Sequence, residues 1–546
     1  MSKLLACLLG MFGSLYASQA PATSGKPEDE KCSIEGRVVN SVTGEPVRRA
    51  VLMLGTGDAN SINIMRSAES DDKGQFAFRN VNPGRYILRA ERTGFAALAY
   101  GAKPISRTPT LLVLSAGQQV KGLLFKLVPN APLSGRVLDS EGEPIEGVTV
   151  TALRSGYERG ERHWFSRGSA LTNDLGEFRI ASLEAGNYIV AAAPGFTLKG
   201  ELETSDKPEM GHVTTYYAGA TEAEGATPVR VEAGGETRVA DIRMLRVPMV
   251  RVSGKLAGDW EGKQVRLRLV PKGGGPPEML AEKTANVQLA GGSFELKGVA
   301  SGSYLLSAMS SDFLTLLGAQ PVQVGDQNIE GLLLQVRPGS ELSGVLTVEG
   351  RSSPNLEKVG VFLRPRGSVV SSVLGGYADE RGKFTLKGLS ADRYLVEVRE
   401  VNYGPERFYV KSVRFGGQDV TEEGLDLTGG ATGSLQITLS LEVAQVDGVV
   451  QDSDSKPVSG ATVVLVPDSR RYSLYKQEQT DQYGAFSLKG ITPGNYKLLA
   501  WEDIEAGAYQ DPEFLKKYES KAESLSLKPN DRRIVQVKVI PFENSP

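Results

Sequence analysis

Cysteine and histidine are both scarce in this sequence, which limits the chemistry available to it. The 546 residues include two cysteines, Cys7 and Cys32, and two histidines, His163 and His212. The histidines lie in separate segments without a glutamate at metal-ligand spacing, so the clustered His/Glu set of a zinc hydrolase is absent. Gly-x-Ser-x-Gly and Gly-Lys-Ser/Thr motifs are absent as well. We therefore expect no enzymatic activity, no metal and no cofactor.

The sequence also has no large excess of positive or negative charge. Lysine and arginine total 62 against 65 aspartates and glutamates, which gives a net charge of −3. A chain with this balance has neither a basic surface for nucleic acid nor a strongly acidic tail. Nucleic acid is therefore not expected among its partners.

Beyond the N-terminus no apolar run approaches the roughly 20 residues that a transmembrane helix needs. The N-terminus itself has the pattern of an export signal, with Lys3, an apolar stretch over 4–16 and small residues up to Ala22. We expect cleavage after Ala20 or Ala22 and a mature chain, without a transmembrane segment, in the periplasm or outside the cell. Its one cysteine, Cys32, is interpreted as incidental, with a reactive or bridging thiol as the alternative, so hydrophobic cores must replace disulfides.

What the sequence has in excess is glycine, 63 residues, and a repeat that is built on it. Five copies share Gly-x-Phe-x-apolar with a tyrosine twelve residues after the glycine. The pairs are Gly74 and Tyr86, Gly176 and Tyr188, Gly292 and Tyr304, Gly382 and Tyr394, and Gly484 and Tyr496. An apolar-x-Gly-x-apolar signature precedes each copy, centred on Gly36, Gly135, Gly254, Gly344 and Gly448. Their spacing, near 100 residues, is that of a whole domain.

Within each copy apolar residues alternate with polar ones, which is the pattern of β-strands, and turn residues stand between the strands. About seven strands in roughly 100 residues is the size of a two-sheet sandwich. The predicted fold is all-β, a tandem array of five seven-stranded, immunoglobulin/prealbumin-like β-sandwich domains. After a signal peptide at 1–22, we expect units 1 to 5 at 33–130, 131–248, 249–340, 341–444 and 445–543. Short linkers with proline, at 129–132 and 246–248, predict an elongated array.

Each repeat tyrosine stands at the start of a strand, just after a tight turn. In a tyrosine corner the ring covers the edge of the sandwich and the hydroxyl bonds a nearby backbone group. We interpret the five tyrosines in this way, with ligand binding as the alternative.

These signatures resemble the carboxypeptidase regulatory-like domain, a prealbumin-like sandwich also found in the B-type repeats of collagen adhesins. The resemblance rests on Gly36-Arg-Val-Val and Gly135-Arg-Val-Leu with Pro46 and Pro144, on Gly-x-Phe followed by Pro-Gly-x-Tyr, and on segments 90–95 and 192–196. Units 1, 2 and 5 match well, unit 4 less well, and unit 3 weakly because it has an insert at 273–277. The resemblance implies a binding or spacer module, sometimes classed with carbohydrate-binding-like folds, and no catalysis.

Aromatic residues also cluster in segments that depart from the minimal sandwich. Two insertions in unit 2 supply the candidate ligand-binding set: Tyr157, His163, Trp164, Tyr216 and Tyr217. Loops between alternate strands collect at one end of a sandwich, so the insertions could converge into a platform for a pyranose ring. The alternative is that the rings pack on each other and cap the sandwich.

Unit 5 has a second aromatic segment, with Trp501 and Tyr509 among several acids. The acids could hold a hard cation, and a solvated loop is the alternative. The sequence as a whole predicts a non-enzymatic exported spacer or interaction protein with a protein or glycan partner. A carbohydrate-binding protein that uses the loop aromatics of unit 2 or unit 5 is the alternative.

Overall fold

The computed structural model describes the chain from residue 31 to residue 542, with several gaps. The described residues are 31–57, 62–194, 209–258, 260, 264–272, 283–286, 291–310, 316–349, 356–357, 359–366, 374–400, 408–469 and 471–542. The predicted signal peptide, Gly195-Phe196 and the insert at 273–277 lie outside them. Among the described residues, no helix has the length and apolarity that crossing a membrane requires.

Unit 1 consists of two sheets. Its strands are β1 (Cys32–Asn40), β2 (Val51–Gly57), β3 (Ile62–Glu69), β4 (Gln75–Val81), β5 (Gly84–Glu91), β6 (Leu98–Ala99), β7 (Leu112–Leu114) and β8 (Gln119–Leu127). One sheet has the order β4-β1-β8, and the other has the order β3-β2-β5, with β6 and β7 both paired to β5. The first strand runs parallel to the last, β8, and antiparallel to β4.

Unit 2 repeats this plan with a longer hairpin. Its strands are β9 (Ala131–Leu138), β10 (Thr149–Glu158), β11 (Glu161–Leu171), β12 (Glu177–Leu183), β13 (Gly186–Ala193), β14 (Glu209–His212), β15 (Thr215–Tyr216), β16 (Val229–Val231), β17 (Thr237–Arg238) and β18 (Ile242–Arg243). In one sheet β9 pairs with β12 on one side and with β17 and β18 on the other. The second sheet has the order β11-β10-β13-β15, and β16 also pairs with β13.

Unit 3 begins with a strand that it shares with unit 2. Its strands are β19 (Arg246–Gly258), β20 (Val265–Pro271), β21 (Lys283–Asn286), β22 (Ser293–Ala300), β23 (Gly302–Ser310), β24 (Leu316–Val324) and β25 (Ile329–Val336). The first part of β19 pairs with β14 of unit 2, and the rest pairs with β22 and β25. The second sheet has the order β21-β20-β23-β24.

Unit 4 has two complete sheets of similar size. Its strands are β26 (Ser340–Val348), β27 (Val359–Pro365), β28 (Leu374–Tyr377), β29 (Lys383–Leu389), β30 (Arg393–Glu400), β31 (Tyr409–Phe415), β32 (Gln418–Asp419), β33 (Leu425–Asp426) and β34 (Leu435–Ser440). The sheets have the orders β29-β26-β34-β31-β32 and β28-β27-β30-β33.

Unit 5 carries the one α-helix of the described residues. Its elements are β35 (Ala444–Gln451), β36 (Thr462–Pro467), β37 (Lys476–Gln479), β38 (Ala485–Ile491), β39 (Gly494–Trp501), α1 (Pro512–Lys516), β40 (Glu523–Leu527) and β41 (Arg532–Lys538). The sheets have the orders β38-β35-β41 and β37-β36-β39-β40. Asp511 caps α1, because its carboxylate accepts the N–H of Glu513 and Pro512 fills the first helical position.

The all-β class is confirmed. In the described part of the chain units 3 and 5 have the seven strands expected, whereas units 1, 2 and 4 have extra short ones. In units 1 and 2 one edge of a sheet is formed by two short strands instead of one long strand, as β6 and β7 both pair with β5. Short edge strands commonly protect a sheet against pairing with another edge. The five largest core clusters of the described residues span 32–127, 131–244, 250–336, 342–439 and 444–537. Each of these ranges extends at most one residue beyond the bounds of the corresponding predicted unit. The domain bounds themselves stay a prediction.

The two repeat signatures meet across one antiparallel strand pair in every unit. Gly36 of β1 lies opposite Phe76 of β4, and a Cβ atom on Gly36 would come within 2.7 Å of the phenylalanine ring. The same pairing joins Gly135 to Phe178, Gly254 to Phe294, Gly344 to Phe384, and Gly448 to Phe486. A larger residue at the glycine would therefore displace the ring from the core.

The glycine that opens the other signature is a turn residue. Gly74 has a φ of +73°, and its carbonyl accepts a hydrogen bond from the N–H of Val38 at 2.8 Å. The equivalent glycines have φ between +65° and +77° and accept the equivalent bond: Gly176, Gly292, Gly382 and Gly484. Because other residues adopt this left-handed conformation only at a cost of about 1 kcal/mol or more, glycine recurs at this position.

The repeat tyrosine bonds the backbone in the same way in all five units. Each hydroxyl donates to the backbone carbonyl four residues earlier, at 2.6–3.0 Å. The five acceptors are Asn82, Glu184, Ala300, Ser390 and Thr492. Each hydroxyl thus fixes the turn that leads into the tyrosine's own strand.

These buried tyrosines should make the fold sensitive to alkali. Burial raises the pKa of Tyr496 to about 12, whereas the phenol of an unfolded chain titrates near pH 10. The folded state therefore favours the protonated phenol, so its stabilisation is complete below about pH 10 and is lost as the pH rises through about 12. Urea unfolding at several alkaline pH values, followed by circular dichroism, checks this. Tyr496→Phe should show a shallower decline, and an equally steep one would contradict the assignment.

Candidate functional site in the aromatic segments of units 2 and 5

The first insertion of unit 2 is the upper part of the β10–β11 hairpin. Its strands pair up to Glu158 and Glu161, which leaves Arg159 and Gly160 as a two-residue tip with φ values of +53° and +76°. Positive φ at both positions is typical of the tight turns that match strand twist. The hairpin therefore continues well beyond the strands with which it forms the sheet.

The tip of this hairpin lies on unit 5. A Cβ atom on Gly160 would be 2.3 Å from the carbonyl oxygen of Gln510, and one on Gly507 would be 3.1 Å from Tyr157. The Arg162 guanidinium lies 4.3 Å from the centroid of the Tyr157 ring and 3.5 Å from the Glu505 carboxylate. Tyr157 is therefore a contact between units.

The other four predicted residues lie on unit 2 in different surroundings. Trp164 is half-buried and packs in a cluster with Tyr216, which is 6% exposed. Burial raises the pKa of Tyr216. Tyr217 packs, half-buried, against the core of unit 2. His163 is exposed, with Nε2 3.8 Å from the Glu161 carboxylate. The structure thus brings Trp164 and Tyr216 together and places Tyr157 against unit 5, so the five-residue ligand set stays a prediction.

The aromatic residues of unit 5 pack on each other. Trp501 is 2% exposed, and its ring centroid is 5.6 Å from that of Tyr518 and 6.5 Å from that of Phe514. Tyr509 is buried and hydrogen-bonds Gln477 through its hydroxyl, and burial raises its pKa. Tyr157 of unit 2 joins the same cluster. These rings cover one side of unit 5 and connect it to unit 2.

The acids near Trp501 have protein partners. The Asp503 carboxylate accepts the N–H groups of Ile105 and Ser106, both in unit 1, at 2.9 and 2.8 Å. Glu505 pairs with Arg162. No group of three His, Cys, Asp or Glu residues that could hold a metal occurs among the residues that the structure describes.

Asp503 belongs to a contact between units 1 and 5 that we call the 1–5 seam. The Gln482 side chain accepts the N–H of Val113 at 3.0 Å and donates to the carbonyl of the same residue at 2.7 Å. Arg85 of unit 1 forms an ion pair with Glu478 at 2.6 Å. The expected elongated array is therefore wrong, because unit 5 returns to unit 1. The prolines of the linkers carry no information about the faces that the units present to each other.

Sequence reasoning also missed the outer face of unit 4. Phe362 lies there between the core residues Val361 and Leu363, next to Arg364 and Arg399. The signal was present, because an aromatic residue at an outward position of an alternating strand is an exception to the pattern. Cys32, in contrast, is buried and donates its thiol proton to the carbonyl of Ser115 at 3.0 Å.

The comparisons with known proteins agree with this fold. The profile of the carboxypeptidase regulatory-like domain family matches residues 33–121 and 132–245. The resemblance noted in the sequence is thereby confirmed for units 1 and 2. The name of this family describes a regulatory-like domain and not a catalytic one. No curated protein matches the sequence.

Solved structures that match the chain include pilins. The Bacillus anthracis TIE protein is 11% identical, with 74% of this chain and 72% of that chain covered and a TM-score of 0.16. A streptococcal ancillary pilin is 10% identical, with coverage of 53% and 98% and a TM-score of 0.19. The minor pilin GBS52 of Streptococcus agalactiae is 12% identical, with coverage of 40% and 98% and a TM-score of 0.22. Superpositions at these scores support no statement about function.

Proposed function

We propose that this chain, in which 33–121 and 132–245 are carboxypeptidase regulatory-like domains, is an exported, non-enzymatic interaction scaffold. The observation that carries the proposal is that the residues shared by all five units serve the fold itself. The repeat glycines make room for a phenylalanine or form a turn, and each repeat tyrosine bonds the backbone. The units differ in the residues on the outer faces of their sheets and in their insertions. These parts of the surface are available to partners.

The contacts between units add to the proposal. The 1–5 seam, the hairpin tip on unit 5 and the strand β19 shared by units 2 and 3 each restrain one unit against another. Restrained units present their faces at defined distances, which is the property that a spacer or scaffold needs. The five domains, with the bounds predicted from the sequence, are part of the same proposal.

Export can be tested with a reporter that is active only where disulfides form. Residues 1–130 fused to alkaline phosphatase should give active enzyme in a bacterial host. The matched control, a fusion of residues 23–130, should be inactive because it lacks the predicted signal. Equal activity of the two fusions, or none from the longer one, would reject export through residues 1–22.

Carbohydrate binding through unit 2 is the second candidate. It is favoured by Trp164 on the hairpin, whose ring is only half-buried where it packs in the cluster of Tyr216. The corresponding proposal for unit 5 loses its basis, because Trp501 and Tyr509 are buried. A glycan array probed with the full chain and with Trp164→Ala separates the two candidates, since only the lectin-like function requires glycan binding that depends on this ring.

A further inference from the structure

The outer face of the β28-β27-β30-β33 sheet of unit 4 carries an aromatic platform. Phe362 points away from the core, and across the strands it pairs with Gly375 and Glu397. A Cβ atom on Gly375 would lie 2.3 Å from the Phe362 ring, and one on Gly360 would lie 2.6 Å from it. The ring therefore lies flat over two glycines. The Tyr377 ring stands at 90° to it, with centroids 6.2 Å apart, and Tyr377 is 58% exposed.

Guanidinium groups line one side of this platform. Arg364 donates through Nε to the Glu397 carboxylate at 3.0 Å, and Arg399 donates to the other oxygen of the same carboxylate. The Arg399 guanidinium also lies over the Phe362 ring, 5.8 Å from its centroid. The third cation, Arg159, comes from the hairpin tip of unit 2 and lies 3.7 Å from the Glu397 carboxylate.

The group carries more positive charge than Glu397 neutralises. Three arginines approach Glu397, whose side chain is 18% exposed, and Glu158 is the other carboxylate that acts on Arg159. Burial and the nearby Arg364 lower the pKa of Arg159. The pKa of Glu397 is lowered although burial opposes this, because its hydrogen bonds from Arg364 and Arg399 outweigh the burial. Three arginines against the two carboxylates Glu397 and Glu158 leave a net charge of about +1, which attracts anions.

We propose that this face binds an acidic saccharide. A pyranose ring would stack on the exposed Tyr377 ring, with its edge beside Phe362, and its carboxylate would be held by Arg364 and Arg399, with Arg159 adding charge. An arginine fork matches a planar carboxylate, and aromatic rings offer a broad apolar surface with little loss of side-chain entropy. The inference rests on the proposed interaction role and names its partner as a uronic-acid glycan.

Calorimetric titration of the full chain with trigalacturonic acid tests the site. We expect measurable binding, no binding of the neutral maltotriose, and affinity that falls with salt. Arg364→Gln and Arg399→Gln should each weaken binding about tenfold or more, because each removes a charge-assisted hydrogen bond. Tyr377→Ala should weaken it about fivefold through lost stacking. The matched control is Arg414→Gln, which removes the same charge from the opposite sheet and should leave binding unchanged.

Several results would overturn the proposal. The proposal fails if trigalacturonic acid does not bind or if maltotriose binds equally well. It also fails if Arg414→Gln weakens binding as much as Arg364→Gln. A sulfated heparin oligosaccharide that binds as tightly and is insensitive to Tyr377→Ala would show attraction of any polyanion and not recognition of a sugar. Trp164→Ala should have no effect here, so a loss with that variant would move the site to unit 2. The export test does not depend on this site, so the scaffold proposal can survive its failure.

Discussion

Phe486→Ala should lower the free energy of unfolding of unit 5 by about 3–5 kcal/mol. The ring is buried and lies against Gly448, whose missing side chain makes the space that it fills. Truncation removes the apolar burial and leaves a cavity bounded by two sheets, which cannot easily collapse. Urea unfolding followed by hydrogen–deuterium exchange measures both the size of the loss and its location.

The matched control for this variant is Ile534→Ala. Ile534 is in the same unit on β41 but is 88% exposed, so its truncation should change stability by no more than about 0.5 kcal/mol. Amides of unit 3 should keep their protection in Phe486→Ala, because unit 3 has its own core. Equal loss of protection in units 3 and 5 would show that the array unfolds as one cooperative body.

Opening of the 1–5 seam is the second large effect. The double variant Gln482→Ala/Asp503→Ala removes four hydrogen bonds to unit 1, two of which are accepted by the Asp503 carboxylate. Hydrogen bonds to a charged group contribute roughly 1.5–3 kcal/mol each. We therefore expect unit 5 to separate from unit 1, with a larger radius of gyration in small-angle scattering and faster exchange at Ile105 and Ser106.

Asp454→Ala is the control for the seam. It removes an exposed carboxylate of unit 5 that pairs with the nearby Lys456, and it should leave the scattering unchanged. If the double variant also scatters like the wild type, other contacts hold the units together, and Asp503 does not determine the arrangement.

The fold of each unit could be predicted from the sequence because its determinants are local and repeated. Gly74, Phe76 and Tyr86 lie within thirteen residues, and each has a strong physical reason to occur where it does. Strand alternation and turn glycines then specify a sandwich. The split edges of units 1 and 2 were not predictable, because a two-residue strand such as β6 has no periodicity to detect.

The arrangement of the units could not be predicted in the same way. Gln482 occupies a turn position that holds aspartate, alanine or glutamate in the other copies, and nothing in its neighbourhood shows that it bonds Val113. Tyr157 was predicted to be functional because it is an aromatic residue in an insertion. That reasoning identifies a residue with a surface role, but it cannot distinguish a ligand from another unit of the same chain.

The parallel pairing of the first and last strands affects how the units respond to mechanical force. β1 runs parallel to β8, β19 to β25, β26 to β34 and β35 to β41. When the two ends of such a unit are pulled apart, the neighbouring strands slide in opposite directions along their length. All the hydrogen bonds between them are then loaded in shear at once, and do not open one after another as in a hairpin that is unzipped from its end. Each of these four units is therefore built to resist extension along the chain.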